Sequence, residues 1–456
     1  MGPSSPSTSR NTRPKHLQTM ATTDNDNDTT GMPEASLFQA THTADDATSL
    51  TDGVLLNTPN TCNNPNVNKV ILPWIGFGTY KLGKEVAYEA VLTALECGYR
   101  CIDTAFIYGG ETTERLVGNA IQTAIHDKKI LSSRKQVFVV TKHWRKYHGY
   151  EETLQCLKLS LKRLQLDYVD LYLMHWPGPA WKTMNRRNDV IESQGPWHYA
   201  KDNLQPEEMA RLRSETWRAM EDAARQGKCK SIGVSNFTVE HLKALKQTAT
   251  IWPPAVNQVE FHPLYPQTEL LDYCRQEGIV LQAYASLGGQ DTGKKQWNKL
   301  ALEALPPTIT TTMDSQDGDA SNNHKRKKQK KQKLRDTVVS LLSCRPVVAM
   351  AQKQQVTPAQ ILLRWALSQN CVVIPKSTSK ERMIENAEVL SFALTVDEIS
   401  EITTSVQQSI TKSLSENQAN NKELNEVDIS TMERCGIGAM GRLCWRNDPL
   451  RQLDFD

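Results

Sequence analysis

Short apolar runs recur along the chain, and each one ends on a polar group. Cys101-Ile102-Asp103 leads to Tyr108, Val137 runs to Lys142, and Val169 runs to His175. Ile232 to Asn236, Val256 to Glu260 with Gln258 inside it, and Val280 to Tyr284 have the same form, before Val372 to Pro375 delivers Lys376. Between these runs lie stretches with helical spacing of apolar positions: Val86 to Cys97, Glu114 to Ile125, Thr153 to Leu164, Ser214 to Arg225, Val239 to Gln247 and Glu269 to Glu277. Strand and helix alternate, which predicts an α/β protein with a parallel sheet. Polar groups repeated at successive strand ends predict a closed (β/α)8 TIM barrel, because eight parallel strands present all their C-terminal ends on one face.

Length and composition change this picture only at its edges. The 456 residues would suit two or three domains by length alone, but one barrel takes about 250 residues, and more with insertions. A single barrel over residues 53–410 is therefore expected, interrupted at about 178–213 and 291–338. Residues 1–52 are rich in Ser, Thr, Asp and Asn with few large apolar groups, a composition that predicts a disordered tail. Residues 411–456 are expected to form a C-terminal tail. The first insertion holds Trp181, Trp197 and Tyr199 and follows the fourth strand, so it is expected to shape a substrate pocket. The second is low in complexity and ends in the basic run HKRKKQKKQKLR, read as a solvated loop.

A formal net charge of +3 is too near balance to imply a nucleic-acid or membrane partner, and no apolar stretch approaches the roughly 18 residues of a membrane span. Ten cysteines without a Cys-x-x-Cys pair suggest reduced thiols and no zinc ribbon. A cytoplasmic monomer without a metal is the expectation that follows.

Eight segments carry a family resemblance: GFGTYKL from Gly76, GYRCIDTAFIYGGE from Gly98, VVTKHW from Val139, YVDLYLMHWP from Tyr168, SIGVSNF from Ser231, PAVNQVEFHP from Pro254, LQAYASLG from Leu281 and VVIPKSTSKERMIEN from Val372. In order and spacing the chain resembles the aldo-keto reductases, most of all the branch of aldose reductase, diketogluconate reductase and prostaglandin F synthase. The resemblance implies NADPH-dependent reduction of a small aldehyde or ketone to an alcohol, with release of NADP+. The alternative from another class is a nucleotide-binding regulatory subunit on the same fold that acts through partners.

Carbonyl reduction by a nicotinamide needs a proton on oxygen as well as a hydride on carbon. By resemblance Tyr108 is the acid and Lys142 the cation that stabilises its phenolate. Asp103 is the counterion that keeps Lys142 charged against desolvation. His175 would direct the carbonyl oxygen through a ring N–H. The resemblance also assigns cofactor contacts to Gly78 and Thr79, to Ser235, Asn236 and Gln258 at the nicotinamide amide, and to Tyr284 stacked on its ring. Lys376, Ser377 and Arg382 match a cradle for the 2′-phosphate, with Glu385 and Asn386 at the adenine; two cations there favour NADPH over NADH. Tyr80, Trp144 and Trp176 match the walls of an aromatic substrate pocket.

Two look-alike motifs are set aside. Gly436-x-Gly438-x-x-Gly441 spells a dinucleotide fingerprint but lacks a βαβ unit, and Gly288 to Lys294 imitates a phosphate loop with Lys295 where Ser or Thr would be needed. Ser286 also stands where many relatives have proline after the stacking tyrosine, which leaves that loop less rigid.

Overall fold

The computed structural model describes residues 39–56, 70–110, 112–179, 206–288 and 341–419. The described residues form two sheets. Strands β1 (Gln39–Ala40), β2 (Asp52–Leu55) and β3 (Ile71–Pro73) form a small mixed sheet. The larger sheet is wholly parallel and follows chain order: β4 (Phe77–Gly78), β5 (Cys101–Asp103), β6 (Phe138–His143), β7 (Val169–Met174), β8 (Cys229–Ser235), β9 (Val256–Glu260), β10 (Val280–Tyr284) and β11 (Val372–Val373). Its first and last strands meet. Ile75 bridges Val373 in parallel, Gly76 N donates to Val373 O at 2.8 Å, and Gly78 N donates to Pro375 O at 3.0 Å. The eight strands thus close into a barrel, as the strand-end pattern predicts.

Every residue of β6 and β7 is buried, as expected for strands with the barrel interior on one face and helices on the other. Around them lie α1 (Ala87–Glu96), α2 (Thr112–His126), α3 (Tyr150–Leu164), α4 (Pro206–Arg225), α5 (Val239–Lys246), α6 (Thr268–Glu277), α7 (Arg345–Gln354), α8 (Pro358–Leu367), α9 (Lys380–Ala387) and α10 (Val396–Ala419). Local chemistry explains several boundaries. Capping boxes at Thr238/His241 and Thr357/Gln360 start α5 and α8, and Gly278, at φ +72°, ends α6. On β8, a Cβ at Gly233 would lie 2.5 Å from Val256 O, so the close strand contact requires glycine.

Three boundaries differ from expectation. Residues 39–52, placed by composition in the tail, already carry strand β1 and the start of β2. The polar residues there are paired to one another: the buried Asp52 carboxylate accepts from Thr48 N at 2.7 Å and Ser49 N at 2.9 Å. The segment is tied to the barrel where Trp74 Nε1 donates to Thr41 Oγ1 at 2.7 Å, Ala44 N donates to Asn370 Oδ1 at 3.1 Å, and Arg364 pairs with Asp45. Composition measures apolar content and misses such directed bonds. Second, α4 starts at Pro206 within the expected first insertion, with Glu207 and Glu208 in its first turn, where acids suit the helix dipole. Third, α10 runs past residue 410 to Ala419. The second insertion, Trp181, Trp197, Tyr199 and both look-alike motifs beyond Gly288 lie outside the described residues. Among the described residues, no helix is long and apolar enough to cross a membrane.

Candidate active site

The polar strand ends converge as a parallel barrel requires. At the centre lies Lys142 on β6, fully buried, whose Nζ donates to Asp103 Oδ1 at 2.7 Å, Thr104 O at 2.8 Å and Tyr108 Oη at 3.3 Å. All three ammonium donors are engaged. Burial pushes the Lys142 pKa down, and the neighbouring Asp103 carboxylate opposes that shift.

The expected depression of the Tyr108 pKa by Lys142 is not the net outcome. Burial pushes the phenol well up, and the charge of Asp103 adds to the effect. Tyr108 therefore rests protonated, with the Lys142 ammonium 3.3 Å from its oxygen.

His175 follows β7 directly, its ring 5.9 Å from that of Tyr108. Burial, followed by the charges of Lys142 and Arg145, holds its pKa well below the usual histidine value, so the imidazole is neutral. Aromatic rings surround it: Trp144 at 6.0 Å edge-on, Trp176 stacked at 6.3 Å, and Tyr80 against Tyr108 at 5.0 Å. Tyr80 is part-exposed and Trp176 buried, so these three expected wall residues range from the mouth to the interior.

Ser235, Asn236, Gln258 and Tyr284 are brought together on the ends of β8, β9 and β10, where they bond one another. Ser235 Oγ donates to Gln258 O at 2.7 Å, Asn236 Nδ2 to His175 O at 2.9 Å, and Tyr284 Oη to Asn236 Oδ1 at 2.7 Å. Asn236 takes a left-handed backbone, φ +63°, a conformation that asparagine tolerates better than most side chains. Thr79 secures the end of β5, its N and Oγ1 donating to Asp103 O at 3.0 and 2.9 Å. Gly78 sits where a Cβ would lie 2.7 Å from Ile374 O, so barrel closure accounts for glycine there.

Lys376, Ser377, Arg382, Glu385 and Asn386 line one cavity of ≈ 320 Å³. Neither cation forms an ion pair with a described residue, and the N-terminus of α9, capped by Ser379, stands between them in sequence. Two unpaired cations beside a helix N-terminus fit a phosphate group. The Glu385 carboxylate accepts from Thr357 Oγ1 at 2.6 Å.

Sequence reasoning missed several groups that complete these sites. Thr357, Leu287 and Leu342 also line the cavity; Leu342 follows the second insertion, which hides its register. Thr104 contributes through its carbonyl, which any residue carries. Gln282 was detectable, because two-residue alternation along β10 places it on the face of Tyr284. His143 and His148 are both buried, their rings 4.8 Å apart. Among the described residues no group of three or more His, Cys, Asp or Glu could hold a metal ion.

Comparison with known proteins agrees with this geometry. The family model described as Aldo/keto reductase family matches residues 74–407. Aldo-keto reductase family 1 member A1 of Xenopus tropicalis is 37% identical over 328 residues, covering 72% of this chain and 84% of its own. Glyoxal reductase of Bacillus subtilis is 34% identical over 337 residues, covering 74% and 89%. Among solved structures, the aldose reductase of Schistosoma japonicum superposes with a TM-score of 0.54 at 28% identity, covering 74% of this chain and 90% of its own. MGS-M4, an aldo-keto reductase from a Medee basin deep-sea metagenome library, gives 0.52 at 34%, covering 74% and 93%. With the match spanning the whole closed barrel and its converging strand ends, the chain belongs to the aldo/keto reductase family, oxidoreductases that act on carbonyl groups with a nicotinamide cofactor.

Proposed function

We propose that this aldo/keto reductase reduces aldehydes or ketones to alcohols with NADPH as the preferred cofactor and Tyr108 as the proton donor. The observation that carries the reading is the Lys142 ammonium, fully buried and held by Asp103 Oδ1, Thr104 O and Tyr108 Oη. A charge at full burial is expensive unless every donor is used and a task retains it. The bound nicotinamide supplies the hydride. Tyr108 supplies the proton, its O–H bond breaking as the carbonyl oxygen becomes a hydroxyl, and Lys142 balances the phenolate left behind. His175, neutral and beside Tyr108, orients the oxygen by hydrogen bonding.

The preference for NADPH rests on Lys376 and Arg382 in a single cavity, neither ion-paired with a described residue. An extra phosphate would find two cations there, whereas a bare ribose hydroxyl would leave both unmatched. Aromatic walls from Tyr80, Trp144 and Trp176 suit a carbonyl attached to an apolar body. Names among the relatives, such as glyoxal reductase and NAD(P)H-dependent D-xylose reductase, define a starting panel of small aldehydes.

The test is NADPH oxidation at 340 nm with that panel, using the wild-type protein and Tyr108→Phe. The variant is expected to bind NADPH with unchanged affinity and to turn over at least about 100-fold more slowly, the lower range for general acid catalysis. Near-normal turnover by Tyr108→Phe would remove the assignment.

A further inference from the structure

A chain of amides runs behind the buried charges. Gln258 Nε2 donates to Asp103 Oδ2 at 2.8 Å and to Gln282 Oε1 at 2.7 Å, and Gln282 is fully buried on β10 in register with Gln258 on β9. The chemistry fixes the orientation of both amides. A carboxylate only accepts hydrogen bonds, so Gln258 must turn its NH2 towards Asp103. The second N–H of that NH2 then meets Gln282, which must answer with its oxygen. Gln282 Nε2 is left pointing away, buried and without a hydrogen-bond partner among the described residues.

An unpartnered buried amide is a cost to folding that an apolar residue at the same position would not carry. What the arrangement secures is the polarity of Gln258. Both its N–H groups are turned inward, and Oε1 is the one polar side-chain atom of Gln258 without a hydrogen-bond partner among the described residues. We propose that Gln282 is a positioning residue: by accepting from Gln258 it locks that amide with its oxygen free for the nicotinamide end of the cofactor and its nitrogen on Asp103. The inference rests on the proposed cofactor site, since it assigns Gln258 a ligand-facing atom.

Gln282→Leu removes the acceptor at similar volume and also removes the orphaned NH2, so the variant should unfold at the wild-type temperature or above. NADPH dissociation constants are expected to rise about 3- to 10-fold, the range for one hydrogen bond, with kcat falling by a similar factor and the carbonyl KM little changed. Gln282→Glu, which keeps an acceptor at that position, should recover most of the cofactor affinity. Side-chain amide hydrogen exchange at Gln258, followed by NMR without cofactor, should be slow in the wild type and faster in Gln282→Leu. Unchanged NADPH affinity together with unchanged Gln258 exchange in Gln282→Leu overturns the inference. So does a lowered unfolding temperature with no change in affinity, which would make Gln282 purely structural. If the wild type binds no NADPH, the proposed function fails first, and the exchange measurement alone then decides whether Gln282 holds Gln258.

Discussion

Acid should destabilise this barrel through a histidine that takes no part in the proposed reaction. His143 ends β6 next to Lys142 and is fully buried, and the Tyr147 backbone beside it only partly offsets the effect of burial. Burial pushes its pKa from 6.5 down to about 4. Below pH 6.5 the unfolded chain takes up a proton that the folded chain refuses, so stability present above pH 6.5 is lost as pH falls towards 4 and levels off below that. The linkage relation gives a loss of about 2 kcal/mol at pH 5 and a limit of about 3 kcal/mol, from a difference of roughly 2.5 pKa units at 1.36 kcal/mol each. The groups around it act in the same direction. His148, its ring 4.8 Å away, is also held well below its usual pKa, by burial first and then by the charges of His143, Arg145 and Arg213. Urea unfolding of the wild type and His143→Leu at pH 7.5 and pH 5.0 measures the effect. Leucine keeps the volume and cannot titrate, so the variant should lose about 2 kcal/mol less on acidification. Equal acid losses for the two proteins would refute the argument.

Two further outcomes follow from the cofactor cavity and the N-terminal segment. Arg382→Ala should weaken NADPH binding by about 10- to 100-fold, the range for a charge-assisted bond, and leave NADH binding nearly unchanged; equal weakening of both in fluorescence titrations would give Arg382 a structural role. Asp45→Ala leaves Arg364 buried at 1% exposure without its carboxylate, and because Asp45 is itself about half exposed the expected loss is about 1 to 2 kcal/mol in thermal unfolding; an unshifted midpoint would show that the pair does not hold residues 39–56 in place.

How much of this was legible in the sequence depends on the kind of signal each residue sends. The barrel strands could be read because burial on both faces makes them apolar runs, and the site could be read because polar residues end those runs. Helix starts moved where terminal chemistry outruns periodicity: Pro206, Glu207 and Glu208 open α4 two turns before the apolar spacing becomes regular. Residues 39–51 were illegible for the opposite reason. Their order comes from single directed bonds, such as Thr41 to Trp74 and Ala44 to Asn370, and a distance of 326 residues in sequence leaves no local trace of the second. The direction of the Tyr108 pKa shift is not legible, because a sequence names the neighbouring charge but not the depth of burial, which raises the pKa. Gln282 carries a readable signal, a polar residue two positions before Tyr284 on the same face of β10.

The polar groups at the C-terminal ends of the strands explain where the proposed chemistry sits. Residues near the starts of β4 and β11 are tied to Thr41, Ala44 and Asp45, and Trp74 and Phe77 are buried. At the opposite end Asp103, Lys142, Gln258 and Gln282 occupy interior positions at or near full burial, where aliphatic residues would pack with no desolvation cost. Their bonds are nearly complete: each Lys142 donor has an acceptor, and Asp103 receives from Lys142 on one oxygen and Gln258 on the other. Gln282 Nε2, Thr104 Oγ1 and His175 Nδ1 are buried without partners among the described residues, as are atoms elsewhere such as Arg364 Nη1 and Trp217 Nε1. What sets this end of the barrel apart is the buried charge itself: an ammonium and a carboxylate held at near-full burial, each bonded to its neighbours, where aliphatic side chains would avoid the desolvation cost, is the arrangement expected of a site kept for the proposed proton transfer.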